Sequence, residues 1–291
     1  MKMQTCRFKN KKDLTIKGIV MSPDGDAKKS GIGVVYLPGI VLGNTAVHRL
    51  GLDIGYLLCN KGHSVYLFDH SGIGESDGEL MAGSHAQMVD LILNGNLTSD
   101  TIEMVDFIKS RPDIDRMLLI GHCGGGLTAT YIANESDLIK GLLLISTPIL
   151  IDGEKDLSMT MGAMREYDLL YKNRIFSFTS WKKLLTGRSD YHLLGRIIKN
   201  KILKTFSIKR EDQVVNKRFF DNLMKARRDK KVFMTMGERD PGIDEFRFFC
   251  DKYLDKGKEC AILKYASHGF VTKESKDLLF AEIDKFVGSF N

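Results

Sequence analysis

Met117-Leu-Leu-Ile-Gly121-His-Cys123-Gly-Gly-Gly126 is a short apolar run ending in a G-x-C-x-G-G turn, and the residues after it, Leu127 to Ala133, suit a helix. A strand that bends this sharply into a helix needs glycines two residues either side of the bend, where a side chain would clash. Cys123, at the bend, is then exposed above the sheet at a helix N-terminus. Unpaired N–H groups and the helix dipole there favour a thiolate and a developing oxyanion. Taken alone, the run would equally suit a small buried cysteine. The reading of Cys123 as a nucleophile rests on partner residues further along the chain.

A nucleophile needs a base within hydrogen-bond reach, and the base needs an orienting partner. Lys231-Val-Phe-Met-Thr-Met236 reads as a buried strand running into Gly237-Glu-Arg-Asp240-Pro241, and Cys260-Ala-Ile-Leu-Lys-Tyr265 as a last strand followed by Ala266-Ser-His268-Gly269. Each of Cys123, Asp240 and His268 thus lies shortly after a strand, in the order nucleophile, acid, base. Glu238 and Asp244 flank Asp240 and compete with it as the orienting carboxylate. Histidines 48, 63, 70, 85, 122 and 192 are the other candidate bases. His122 adjoins the nucleophile, so its side chain is expected to point away from the thiol in a structural or substrate-lining role. His70 and His85 are expected on rim loops, with solvated rings as the default.

With 291 residues, 43% of them apolar, the chain can form one large α/β domain with an insertion. Leu14 to Met21, Gly31 to Leu37, Ser64 to Phe68 and Lys140 to Ser146 read as strands, and Ala46 to Asn60 as a helix. This alternation belongs to a parallel sheet. A helix from about Thr101 to Ser110 is expected to open on the capping-box-like Asp100-x-x-Glu103 and close before Pro112. Lys273 to Phe290 carries apolar residues at helical spacing. The N-terminus has no apolar signal-like region, and no run reaches the ~18 apolar residues of a membrane span, so a cytoplasmic location is expected. Five widely spaced cysteines without a C-x-x-C pair argue against a disulfide framework or a zinc site. No cofactor or metal is expected.

From 151 to 231 the alternation lapses into mostly helical sequence. This predicts a helical cap over a core made of 1–150 and 232–291. The segment holds 20 Lys and Arg against 10 Asp and Glu, so the chain's net charge of +6 is concentrated there. Such a surface suits an anionic substrate, an acidic carrier or an anionic membrane surface; a solvated lysine-rich face accounts for it equally well. No nucleic-acid-binding motif accompanies the charge.

These features together resemble the α/β-hydrolase superfamily over nearly the full chain: a mostly parallel central sheet flanked by helices, with a helical cap. Asp69-His-Ser-Gly-Ile-Gly-Glu-Ser-Asp-Gly78 resembles the D-x-R-G-x-G-x-S-x-G loop of serine-aminopeptidase-like hydrolases, with His70 and Ser71 in place of the usual aromatic and Arg. In those relatives the loop shapes the rim. Leu37-Pro38-Gly39-Ile40 stands in place of their His-Gly motif, and the resemblance implies an oxyanion hole from the N–H groups of Ile40 and Gly124. Gly43-x-x-x-x-His48-Arg49 and Phe178-Thr-Ser-Trp-Lys-Lys-Leu-Leu-Thr-Gly187 are similar to patterns of exosortase-associated hydrolases. The turn itself is similar to those of dienelactone hydrolases and polyester synthases, which use cysteine. The expected activity is hydrolysis of an ester or thioester, on a small or carrier-bound acyl substrate. The competing readings are acyl transfer, peptidase activity and a non-catalytic binding protein.

Overall fold

The computed structural model describes residues 1–24, 30–39, 49–80, 82, 85–151 and 214–290. In chain order the elements are β1 Lys2–Lys9, β2 Thr15–Ser22, β3 Ile32–Leu37, α1 Leu50–Cys59, β4 Ser64–Phe68, α2 His85–Leu93, α3 Thr98–Lys109, β5 Arg116–His122 and α4 Gly124–Ile132. Next come β6 Ile139–Ile145, β7 Leu150–Ile151, β8 Val214–Val215, α5 Lys217–Ala226, β9 Lys231–Gly237, α6 Ile243–Tyr253, β10 Cys260–Leu263 and α7 Lys273–Gly288. Eight strands form one sheet in the order β1-β2-β4-β3-β5-β6-β9-β10. The pairs β1–β2 and β2–β4 are antiparallel, and every later pair is parallel. This is the α/β-hydrolase fold, with a mostly parallel sheet flanked by helices.

The central strands are apolar throughout because both faces are covered. Alternate residues go to opposite layers: Met117 and Leu119 of β5 join Leu127, Phe219 and Phe249 on one side. Leu118 and Ile120 join Ile54 of α1 and Leu279 and Ile283 of α7 on the other. After β3 the chain crosses to β4 on one flank, and β5 then returns to the other flank of β3. In open α/β sheets the crevice for ligands forms at such a switch point, beyond the carboxyl ends of the strands.

Two local expectations change. The α3 helix starts at Thr98, and Asp100 and Glu103 do not cap it. Tertiary donors take both carboxylates: Asp100 accepts from Ser71 N–H at 2.7 Å and from Asn10 Nδ2 at 3.0 Å, and Glu103 from Lys11 N–H at 2.7 Å. In the first helix region, Arg49 is left-handed at φ 60°, so α1 begins at Leu50; residues 46–48 lie outside the described residues.

Most of the expected cap, 152–213, is also outside the described residues, as are His48, His192 and the 178–187 pattern. Its two ends are joined by a short antiparallel ladder, Leu150 opposite Val215 and Ile151 opposite Val214, continued by Asn216 N–H to the Ile149 carbonyl at 3.2 Å. Beyond that neck, α5 carries Phe219, Leu223 and Ala226 into the core cluster. Asn216 caps it by accepting from Phe219 N–H at 3.0 Å.

Candidate active site

The β5–α4 bend places Cys123 at φ 53°, ψ −124°, a conformation costing about 1–3 kcal/mol for a side-chain-bearing residue. The bend is anchored by Cys123 N–H to the Ile145 carbonyl at 2.8 Å and Gly126 N–H to the Cys123 carbonyl at 3.0 Å. Its glycines are required by contact. A Cβ on Gly121 would lie 2.5 Å from Gly126 Cα, and one on Gly125 would run into the Leu37 and Pro38 carbonyl oxygens. Cys123 is partly exposed, unlike the buried Cys59, Cys250 and Cys260.

Asp240 follows β9 and keeps 3% of its side chain exposed, against 36% for His268 after β10. Their loops are stitched together by Arg239 N–H to the Ala266 carbonyl and Glu238 N–H to the Leu263 carbonyl, both at 2.9 Å. His268 Nδ1 lies 2.8 Å from Asp240 Oδ2. A carboxylate only accepts, so Nδ1 carries the proton and donates it, leaving Nε2 as the basic nitrogen. The Cys123 side chain is near enough to the ring to act on its protonation. Burial works against the charged ring, but the Asp240 bond and charge, helped by the nearby Cys123, outweigh it and raise the His268 pKa well above the ordinary value. For Asp240, burial opposes ionisation, yet the bond and charge of His268 and the Gly242 N–H at 2.9 Å hold the carboxyl below its usual range. The rival carboxylates point elsewhere: Glu238 accepts from Tyr265 N–H at 3.1 Å, and Asp244 lies 3.8 Å from Arg247.

Of the oxyanion candidates, Gly124 is the first residue of α4, where N–H groups lack helical partners. Ile40 lies outside the described residues. Its neighbour Gly39 sits against Cys123, since a Cβ there would be 3.0 Å from Cys123 Cβ.

His122 is closer to the machinery than its sequence position implies. Its Nε2 is 2.9 Å from the His268 carbonyl oxygen, which only accepts, so Nε2–H donates and Nδ1 is bare; Nδ1 is buried with no partner. The rings of His122 and His268 are 5.4 Å apart. Burial first, then the charge of His268, depresses His122 to about 4 despite the bond to the carbonyl. A neutral ring therefore braces the loop of the candidate base. Its place next to the nucleophile marks this residue in the sequence, but only the fold puts it under His268.

His70, expected in solvent, is buried at 5% exposure with Nε2 2.9 Å from Thr101 Oγ1. The Asp69–Gly78 loop is bound inward: Ser76 Oγ donates to the Asp69 carbonyl at 2.7 Å, and Asp69 accepts from Glu75 N–H at 3.1 Å. Ser71, where the loop usually carries Arg, donates through its amide and hydroxyl to Asp100. His63 is buried against Ser30 Oγ at 2.7 Å.

The serine aminopeptidase (S33) family model matches residues 47–230. The chain belongs to that family. Its matched region contains the β5–α4 bend and ends before Asp240 and His268, so the S33 match and the pairing of those two residues are separate observations. A monoglyceride lipase from Mus musculus is 27% identical over 146 residues, which is 50% of this chain and 42% of that protein. The aligned stretch is thus under half the length of that curated relative. Among solved structures, the α/β hydrolase GrgF from Penicillium sp. sh18 superposes with a TM-score of 0.60 at 17% identity, covering 98% of this chain and 97% of that one. An esterase from Pyrococcus furiosus gives a TM-score of 0.66 at 15% identity, covering 99% and 91%. At these identities the solved structures share the S33 chain's fold. Among the described residues no helix is long and apolar enough to cross a membrane.

Proposed function

We propose that the protein hydrolyses carboxylic esters or thioesters through an acyl-cysteine intermediate, with Cys123 as nucleophile, His268 as general base and acid, and Asp240 as its orienting partner. The observation that carries the reading is the His268–Asp240 pair at 2.8 Å, with Cys123 close enough to act on the same ring. The similar proteins, a monoglyceride lipase and an esterase, favour an oxygen-ester substrate.

His268 Nε2 takes the Cys123 proton, and the sulfur adds to the substrate carbonyl carbon. The charge that develops on oxygen is held by the N–H of Gly124 and, as the family resemblance implies, of Ile40. Collapse breaks the bond to the leaving alcohol or thiol, which receives the proton from His268. Water then gives a proton to Nε2 as it attacks the thioester, and the Cys123 sulfur leaves and is reprotonated. Asp240 stays ionised and stabilises the imidazolium. A thioester is more open than an oxygen ester to amines and thiols, so transfer to an acceptor is the companion reaction.

The test is turnover of a panel of short- and long-chain esters and thioesters, with and without an added amine or thiol acceptor, in wild type and Cys123→Ala. Hydrolysis lost about 1,000-fold or more in the variant is expected. Acylated acceptor as the main product would move the assignment to acyl transfer. Equal turnover in the variant would refute a cysteine mechanism.

A further inference from the structure

Two other cysteines lie at the end of the sheet opposite the elbow. Cys250 lies in the last turn of α6 and Cys260 is the first residue of β10. The two side chains face one pocket, and each is the largest influence on the other's thiol. Each keeps only 3% and 6% of its surface, yet both line a surface pocket of about 340 Å³ together with Arg247, Asp251 and Lys256. Lys256 is held by Asp251 at 2.6 Å, and the Cys260 carbonyl accepts from Gly257 N–H at 3.1 Å, closing the turn beneath the pair.

Two thiols on one pocket wall beside cationic side chains have the chemistry of a dithiol in which one sulfur attacks and the other resolves. Cys250 lowers the Cys260 pKa against the effects of burial and of Glu259, and Lys256 adds to the lowering. The proton remains on Cys250, whose pKa rises. Cys59 and Cys6 lack such a sulfur partner, and burial pushes them up to about 11 and about 12.

We propose that Cys250 and Cys260 form a reversible dithiol–disulfide site, oxidised by a hydroperoxide that enters this pocket. The Cys260 sulfur attacks the terminal peroxide oxygen; the S–O bond forms, the O–O bond breaks, and the departing oxygen takes a proton to leave as an alcohol, or as water from hydrogen peroxide. The Cys250 sulfur then attacks the sulfenic sulfur. The S–S bond forms, and hydroxide leaves as water with the Cys250 proton. Two thiols are oxidised and one peroxide is reduced. A free thiol reverses the step by exchange. The disulfide would tie the end of the helix after Asp240 to the start of the strand that precedes His268, with no role for Cys123 in its formation.

The experiment titrates the folded, full-length chain with hydrogen peroxide at neutral pH. Free thiols are blocked with N-ethylmaleimide under denaturing conditions, and the tryptic peptides are weighed. Peptides 248–252 and 259–264 should appear joined, two hydrogens lighter than their sum, at least tenfold faster than Cys59 is oxidised, and should separate on treatment with dithiothreitol. In Cys260→Ser, Cys250 should stay alkylatable. Cys250 and Cys260 still blocked as free thiols when Cys59 is oxidised, or oxidised to unlinked sulfinic acids, would overturn the proposal. The wild-type peptide masses decide this even where the variant fails to fold. The readout does not depend on ester turnover.

Discussion

At the scale of single residues, the strain at Cys123 and the unpaired nitrogen of His122 have different consequences. The first is a folding cost of about 1–3 kcal/mol, offset by the two backbone hydrogen bonds that fix the bend. The second ties stability to pH. An unfolded chain protonates His122 near 6.5, but the folded chain resists until about 4. Stability from the neutral ring is therefore complete above pH 6.5 and lost as pH falls through that window, by about 3 kcal/mol in all. His268 has the opposite sign: its raised pKa adds stability below 6.5 that is lost as pH rises through the folded value. Melting curves of wild type and His122→Phe at pH 7.5 and pH 4.5 should show a smaller acid loss in the variant. An identical loss would mean that His122 is not its source. That Asp240 and His268 each come just after a strand is legible in the sequence, because the apolar runs before them are local. The buried states of His70 and His122 are not, since a ring's solvation depends on elements far away in the chain.

At the scale of elements, the elbow is a three-way contact among β5, α4 and the end of β3. Gly125 lets α4 approach the Leu37 and Pro38 carbonyls, which lead directly to Gly39 beside Cys123. Gly125→Ala should cost about 1–3 kcal/mol by overpacking and lower ester turnover more than binding, because the loop that lies over Cys123 must shift. A thermal melt and a kcat/KM measurement check both parts, and an unchanged kcat would contradict the coupling. The G-x-C-x-G-G pattern makes this element readable, as clash is a local matter. The expected cap at Asp100 fails for the converse reason. Its spacing fits a helix start, but Ser71 and Asn10, distant in the chain, supply better donors. Strand β1 gives no apolar signal because it is the exposed edge, with only Cys6 and Phe8 reaching partly inward.

At the scale of the molecule, the switch point beside β3 gathers the ends of β3, β5, β9 and their loops on one rim. The ladder of β7 and β8 joins the two ends of residues 152–213, a stretch with 13 Lys and Arg against 8 Asp and Glu. The alternating pattern of the core is visible from the chain alone, whereas the place where the inserted segment ends is not. Helix α5 is amphipathic and basic like the sequence before it, and only the burial of Phe219 and Leu223 joins it to the core. The central claim, a covalent intermediate on Cys123, is tested most directly by mixing the protein with a slowly hydrolysed activated ester, quenching in acid and mapping the added mass by peptide sequencing. One acyl group on Cys123, released by neutral hydroxylamine and absent in His268→Ala, is the predicted result. An acyl group on another residue, or ester turnover with no adduct at Cys123 under conditions that trap acyl-enzymes, would contradict it.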